Sequence, residues 1–187
     1  MNVKNNQRFK ETDDKIRQTF LKLLSEKGLS HTTVRDICTE CSINRSSFYA
    51  HYEDIYDLLS RMEASIRLDM YASFNGTGAS SEHFLSPEYF ELILIHMSRH
   101  RDFYCAYLES FGKPAIEDGL QMIKEYVIRP YFMKLGITED SRINYHFTFF
   151  CFCFIAVLKQ WLDNHCVETP HELAQILWDS LAPVPKE

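Results

Sequence analysis

Thr32 to Tyr52, TTVRDICTECSINRSSFYAHY, constrains this chain more than any other stretch. Thr33-Val34-Arg35-Asp36 has the form of a capping box, in which a hydroxyl and a carboxylate each satisfy an otherwise orphaned backbone N–H at the start of a helix. Val34, Ile37, Cys38 and Cys41 then fall at the i, i+3, i+4, i+7 spacing of one buried face. Ser42 and Asn44 supply a turn and a fresh cap, so a second helix, Asn44 to His51, follows almost at once. That helix has few inward residues, Ile43 and Phe48. Asn44, Arg45, Ser46, Ser47, Tyr49 and His51 crowd its outer side, and these groups suit base edges and phosphate oxygens. The pattern predicts a helix-turn-helix that reads double-stranded DNA.

The rest of the chain carries helical periods. The spacing predicts a first helix over Glu11–Lys27, with Thr12 as cap, Asp13 and Asp14 near its positive end, and Ile16, Phe20, Leu23 and Leu24 inward; Gly28 stops it. From Asp54 a fourth helix repeats Ile55, Leu58, Leu59, Met62 and Ile66 to about Phe74. Asn75–Ser81 reads as a loop. Ser86-Pro87 opens a helix to about His100, followed by an aromatic segment, Asp102 to Phe111. A helix from about Pro114 to Leu135, bent at Pro130, comes next. Glu139 to about His165 is apolar almost all round, and Thr169-Pro170-His171-Glu172 opens a last helix with Leu173, Ile176, Leu177 and Leu181 inward. The expected fold is all-α, about nine helices. Residues 1–53 form a head with a basic N-terminal arm (Lys4, Arg8, Lys10), residues 54–187 a C-terminal domain, and helix 54–74 links them.

The net charge of −6 is unevenly spread. Residues 1–60 hold 9 Lys+Arg against 9 Asp+Glu, and the remainder 11 against 17, which accounts for the whole imbalance. A neutral head with a basic arm is compatible with DNA, with affinity resting on dimerisation and a few placed contacts. The N-terminus lacks an apolar signal segment, and the longest apolar run, Phe147 to Leu158, is shorter than the roughly 20 residues a bilayer span needs. No membrane association is expected, and the cysteines (38, 41, 105, 151, 153, 166) read as reduced apolar filling in a cytoplasmic protein.

Across residues 12–62 the head resembles that of the TetR family of bacterial transcriptional regulators. Ile16, Phe20, Gly28, Thr33, Val34, Ile37, Ile43, Ser47, Tyr49, His51, Tyr52, Leu58 and Leu59 carry the likeness without a gap. The C-terminal half is more loosely similar to regulators of the dihydroxyacetone-kinase-operon type, through Trp161, Leu162, Thr169, Pro170, Glu172 and Leu173. The resemblance implies a homodimeric, sequence-specific regulator, by default a repressor, with a helical domain that dimerises and often takes a small effector; other members of the subgroup bind partner proteins. It also implies phosphate contacts from Thr33, Ser47, Tyr49 and His51, and base contacts from Asn44, Arg45 and Ser46. Two departures stand out. Ile55 occupies a place where the family carries a phosphate-binding lysine, and Cys38 and Cys41 stand where it has small residues.

A helix apolar all round must be covered on both sides. One face of the 139–165 helix is expected inside the subunit. The other, with the last helix, would meet a second subunit as a four-helix bundle. Phe150, Phe154, Leu158 and Trp161 on one stripe, with Leu173, Ile176 and Leu177, are the candidate dimer interface; which face lies between subunits stays open. Phe103, Tyr104, Tyr107, Phe111, Tyr126, Tyr131, Tyr145, Phe149 and Phe152 are candidates to line an effector cavity, against the plainer reading of core.

Cys38-x-x-Cys41 has zinc-knuckle spacing but no second pair, and filling of the buried stripe is the better reading. His96 and His100 share a helix face without a third ligand in sequence, so no metal and no cofactor is expected. Neither a glycine-rich phosphate loop nor a nucleophile elbow is present, and an enzyme is not expected. A helical protein-interaction adaptor without an effector pocket is the alternative. It would leave the polar face of Asn44–His51 unexplained.

Overall fold

The computed structural model describes residues 3–75, 86–110 and 124–181, and all regular structure among them is helical. The elements are α1 (Val3–Lys27), a 3-10 turn (Leu29–His31), α2 (Val34–Cys41), α3 (Arg45–Tyr49), α4 (Ile55–Asn75), α5 (Pro87–Arg99), α6 (101–110), a π-type turn (Lys124–Ile128) leading into α7 (Arg129–Lys134), α8 (Asp140–Asp163) and α9 (Pro170–Leu181). The expected loop after Asn75 and residues 114–123 of the expected 114–135 helix lie outside the described residues. Where that helix is described, Pro130 sits at the start of α7. A proline has no N–H to offer the preceding turn, which accounts for the π-type widening just before it.

The chain divides into two compact units, Met1–Leu68 with Ala106–Ser110, and Asp69–Cys105 with Phe111–Glu187. In the first, Ile16, Phe20 and Leu24 of α1, Ile37 of α2, Phe48 of α3 and Leu58 of α4 are fully buried. The division falls within α4 rather than at the expected 53/54 boundary. Asp54 Oδ1 accepts from the N–H groups of Tyr56 and Asp57, both at 2.8 Å, and Ile55, Leu58, Leu59 and Met62 then bury against the head. The first turns of α4 are thus part of the head's core.

α1 begins at Val3 rather than near Glu11. Thr12 is not its cap: the Thr12 hydroxyl donates to the Arg8 carbonyl at 2.9 Å, the mid-helix back-bond of a threonine. The expected basic arm is therefore a helical turn. At the other end Gly28 adopts φ 74°, ψ 168°, a region open essentially to glycine, while its N–H closes α1 on Leu24 O at 2.9 Å. A Cβ there would meet nothing within 4 Å, so the constraint is backbone alone. Gly28→Ala is expected to destabilise the protein by about 1–3 kcal/mol, read as a lower urea midpoint at unchanged slope.

In the second unit the buried stripe of α8 is Ile143, Phe147, Cys151, Leu158, Trp161 and Leu162. Phe147 and Cys151 pack with Ile128, and Phe150 and Phe154 stack on Phe90 of α5 at 6.4 and 6.0 Å between centroids. α9 opens with the expected capping box: Glu172 accepts from the Thr169 N–H and hydroxyl, both at 2.8 Å, and Thr169 Oγ accepts from the Glu172 N–H. Its Leu173, Ala174 and Leu177 are buried. Trp161 Nε1 donates to the Glu168 carbonyl at 2.9 Å, which ties the end of α8 to the turn before α9.

By length and composition α8, at 24 residues, is apolar enough to cross a membrane. Counting only the twelve-residue run understated it, because Ile143, Tyr145, Trp161 and Leu162 extend the apolar character at both ends. Core helices of water-soluble proteins pass the same test.

Candidate nucleic-acid interface

The recognition element is assembled from short-range bonds. Thr33 Oγ accepts from the Asp36 N–H at 3.2 Å, and Asp36 Oδ2 accepts from the Thr33 N–H at 3.0 Å, completing the capping box of α2. Lys27 Nζ donates to the same carboxylate at 2.7 Å. That lysine, with the Thr33 hydroxyl, holds Asp36 down at about 2. Ser42 then turns the chain in the left-handed region, φ 57°, its N–H bonding back to Cys38 and Thr39. Asn44 caps α3: its Oδ1 accepts from the Ser47 N–H at 2.7 Å and from the Ser46 and Ser47 hydroxyls at 2.7 and 2.8 Å.

α3 has only five residues and is held from beneath by Phe48. Below it a polar cluster ties α1 to the chain that follows α3. Arg17 Nε donates to Asp13 Oδ2 at 2.9 Å and to Tyr52 Oη at 3.1 Å, and the Tyr52 hydroxyl donates to Asp13 Oδ1 at 2.5 Å. Burial, and then the bond to Asp13, pushes Tyr52 up to about 12, so it stays a donor at any physiological pH. Arg61 of α4 lies over the same ring, 5.6 Å from its centroid. Asp13 and Arg17 were not among the expected site residues; their i, i+4 spacing marks a surface pair but not the distant Tyr52.

Thr33, Asn44, Arg45, Ser46 and Tyr49 are exposed and Ser47 half-buried. Among the described residues nothing hydrogen-bonds the Arg45 guanidinium, whereas the Asn44 carbonyl is spent on its cap. The base-edge role expected of Asn44 therefore narrows to its amide N–H₂. His51 is placed differently from the other expected phosphate contacts. Its side chain is 4% exposed, stacked on Phe9 at 3.7 Å, with Nδ1 3.4 Å from Asp13 Oδ1. The imidazole is covered in this structure. The reason is the helical extension of α1, which brings Phe9 over the ring. Ile55, 9% exposed, fills core where a lysine was expected by resemblance. Cys38 is buried and Cys41 Sγ donates to Thr19 Oγ and Lys15 O; all six cysteines are free.

The candidate interface and candidate pocket residues of the C-terminal half differ in exposure. Leu158, Trp161, Leu173 and Leu177 are buried within one subunit, Phe150 and Phe154 are half-buried against Phe90, and Ile176 is 51% exposed. Conversely Tyr145 is 77%, Phe149 68% and Phe152 37% exposed. These three lie on an outer face of α8 and do not enclose a cavity with the interior Phe103 and Tyr104. A shallow groove of about 580 Å³ runs along the same face past Phe152, Ala156, Lys159 and Asp163. Tyr107 and Tyr131 are half-buried, and Phe111 and the Tyr126 side chain lie outside what is described. The cause is α8 itself: apolar on both faces, it gives periodicity no means of telling inside from outside.

Residues 16–62 match the family model of bacterial regulatory proteins, tetR family, and residues 86–181 match that of a transcriptional regulator C-terminal region. Among curated proteins the chain is 19% identical over 177 residues to the uncharacterised HTH-type transcriptional regulator YxbF of Bacillus subtilis, covering 88% of this chain and 43% of the relative. It is 35% identical over 49 residues to YerO of the same organism, covering 26% of this chain and 17% of that protein. The chain thus spans less than half the length of the curated relatives it matches. Among solved structures, a TetR transcriptional regulator from Streptococcus agalactiae superposes with a TM-score of 0.60 at 23% identity, covering 96% of this chain and 98% of the other. The fatty acid degradation regulator FadR of Bacillus halodurans gives 0.56 at 12% identity over 90% and 93%. The dihydroxyacetone kinase operon activator DhaS gives 0.50 at 16% identity over 91% and 93%. With family models covering both the helix-turn-helix and more than half of the chain beyond it, the protein belongs to the TetR family of transcriptional regulators.

Proposed function

We propose that the protein acts as a homodimer that binds a partial palindrome in double-stranded DNA, each head laying α3 in the major groove. The observation that carries this is the outer surface of α3: a capped, core-anchored helix presenting an unengaged Arg45 among the hydroxyls of Thr33, Ser46, Ser47 and Tyr49. Arginine grips guanine bidentately, and the hydroxyls suit backbone oxygens that set register. No enzymatic role and no cofactor belong to this reading, and its setting is the cytoplasm, where promoter DNA lies.

Arg45→Ala is expected to weaken specific binding by about 1–3 kcal/mol and to relax the preference at one base position. Fluorescence anisotropy on the protein's own upstream DNA and on random DNA measures this. Equal loss on both would make Arg45 a phosphate contact only. No binding to either at low salt, where nonspecific affinity is greatest, would favour the adaptor reading instead.

Dimerisation is assigned to the outer stripe of α8, Tyr145, Phe149, Phe152, Cys153 and Ala156, together with Ile176 of α9. These fall at helical spacing on one exposed face, and such patches mark association sites. The controlling input, a small molecule or a partner protein, is assigned to the second unit. Because α4 runs from one unit into the other, a change in its tilt is the route by which that input reaches the head. Repression follows as the default, since occupying a promoter blocks polymerase without any further contact surface. DhaS, an activator by its name, shares the fold, and transcription in vitro with and without the protein decides the sign.

A further inference from the structure

His96 of α5 is the one fully buried histidine among the described residues, and nothing in the DNA reading uses it. Its Nε2 lies 3.1 Å from the Tyr104 hydroxyl of α6. Its Nδ1 is buried without a hydrogen-bond partner and faces Asp69 Oδ2 of α4 at 3.4 Å. One turn on, His100 Nε2 is 2.8 Å from the same carboxylate oxygen, and the two imidazole centroids are 4.7 Å apart. In the tautomer that donates from Nε2 to Tyr104, the Nδ1 lone pair points at a carboxylate lone pair with nothing between them. A cation between them satisfies both acceptors, as a proton on Nδ1 does in the other tautomer.

We propose that Asp69, His96 and His100 form a binding site for a divalent first-row transition ion, zinc being the best match. One ligand atom from each residue lies within 4.8 Å of the others. Zinc takes imidazole nitrogen at about 2.0–2.1 Å and carboxylate oxygen at about 2.0–2.2 Å, which places tetrahedral ligands about 3.4 Å apart. The His96–Asp69 separation already has that value. The His100–Asp69 pair must open by roughly 0.5 Å, and both side chains are partly exposed and free to do so. With the ion bound, the Tyr104 hydroxyl would accept the outer hydrogen bond that metal-bound histidines commonly donate, in the tautomer that leaves Nδ1 for the ion. Arg99 is the neighbouring cation that opposes the site, set against the full charge of Asp69. A fourth position stays open to water. The bound ion would tie the C-terminal half of α4 to α5, and the site does not depend on the DNA-binding reading.

Full-length protein, stripped with chelator, should bind one Zn²⁺ per chain by titration calorimetry and show the visible d–d absorption of tetrahedral Co²⁺. Asp69→Asn and His100→Ala, both at partly exposed positions, should each weaken Zn²⁺ at least tenfold and abolish the rise in melting temperature that Zn²⁺ gives the parent. His31→Ala, at an exposed histidine elsewhere, should change neither. Absence of Co²⁺ absorption in the parent, or Zn²⁺ affinity equal in parent and both variants, would overturn the site. A thiolate-to-cobalt band would place the ion on the free cysteines and overturn it equally.

Discussion

Phe149→Asp is expected to turn the dimer into monomers and to lower DNA affinity about a hundredfold, at unchanged helicity. Phe149 is 68% exposed on α8, beside Tyr145 at 77%, so the substitution removes little from the fold of one chain. In the dimer proposed above, the same ring would sit near the centre of a helix-on-helix interface. Losing a central aromatic anchor there costs about 2–4 kcal/mol, and a carboxylate left without a partner adds to that. A loss near 2.8 kcal/mol is a factor of a hundred. Sedimentation velocity reads the mass and a mobility shift on the upstream DNA reads the affinity. A dimer that survives the change would remove the outer stripe of α8 from the interface.

The second large effect is in the head. Phe48→Ala is expected to cost about 3–5 kcal/mol, the range for truncating a buried phenylalanine. α3 spans five residues, too short to persist in water without tertiary support. Phe48, fully buried against a core that includes Ile16, Phe20 and Ile37, is its main apolar anchor. Hydrogen exchange should show protection lost over residues 34–49, with DNA binding lost on specific and random sequences alike. That distinguishes it from Arg45→Ala, which leaves the helix in place. A destabilisation under 1 kcal/mol would mean that the caps at Thr33 and Asn44 hold the element without the ring.

Much of this was legible in the order of residues. Thr33 with Asp36 and Thr169 with Glu172 announce their helices because a capping box closes within four residues. Gly28 announces a stop because few other residues adopt its backbone angles. The polar outer side of α3 follows from helical period alone. Other features were legible only in part. Thr12 looked like a cap but lies inside α1, since nothing local distinguishes a capping threonine from one bonding back to Arg8. His51 has the right chemistry and the right helix for a phosphate, yet Phe9, some forty residues earlier in the chain, covers it.

By itself the sequence determined an all-helical chain with a capped helix-turn-helix, because periodicity, caps and turn residues are local. It also led to the expectation that α8 is covered on two sides, because so wide an apolar surface is costly in water. Only the tertiary structure decided which side: Leu158 and Trp161 pack inward, and Tyr145 and Phe149 are left outward. Only it joined Asp69 to His96 and His100, for a ligand set drawn from two helices has no spacing to read. A helix's period says that residues share a face, and only the packing of other helices says what that face meets.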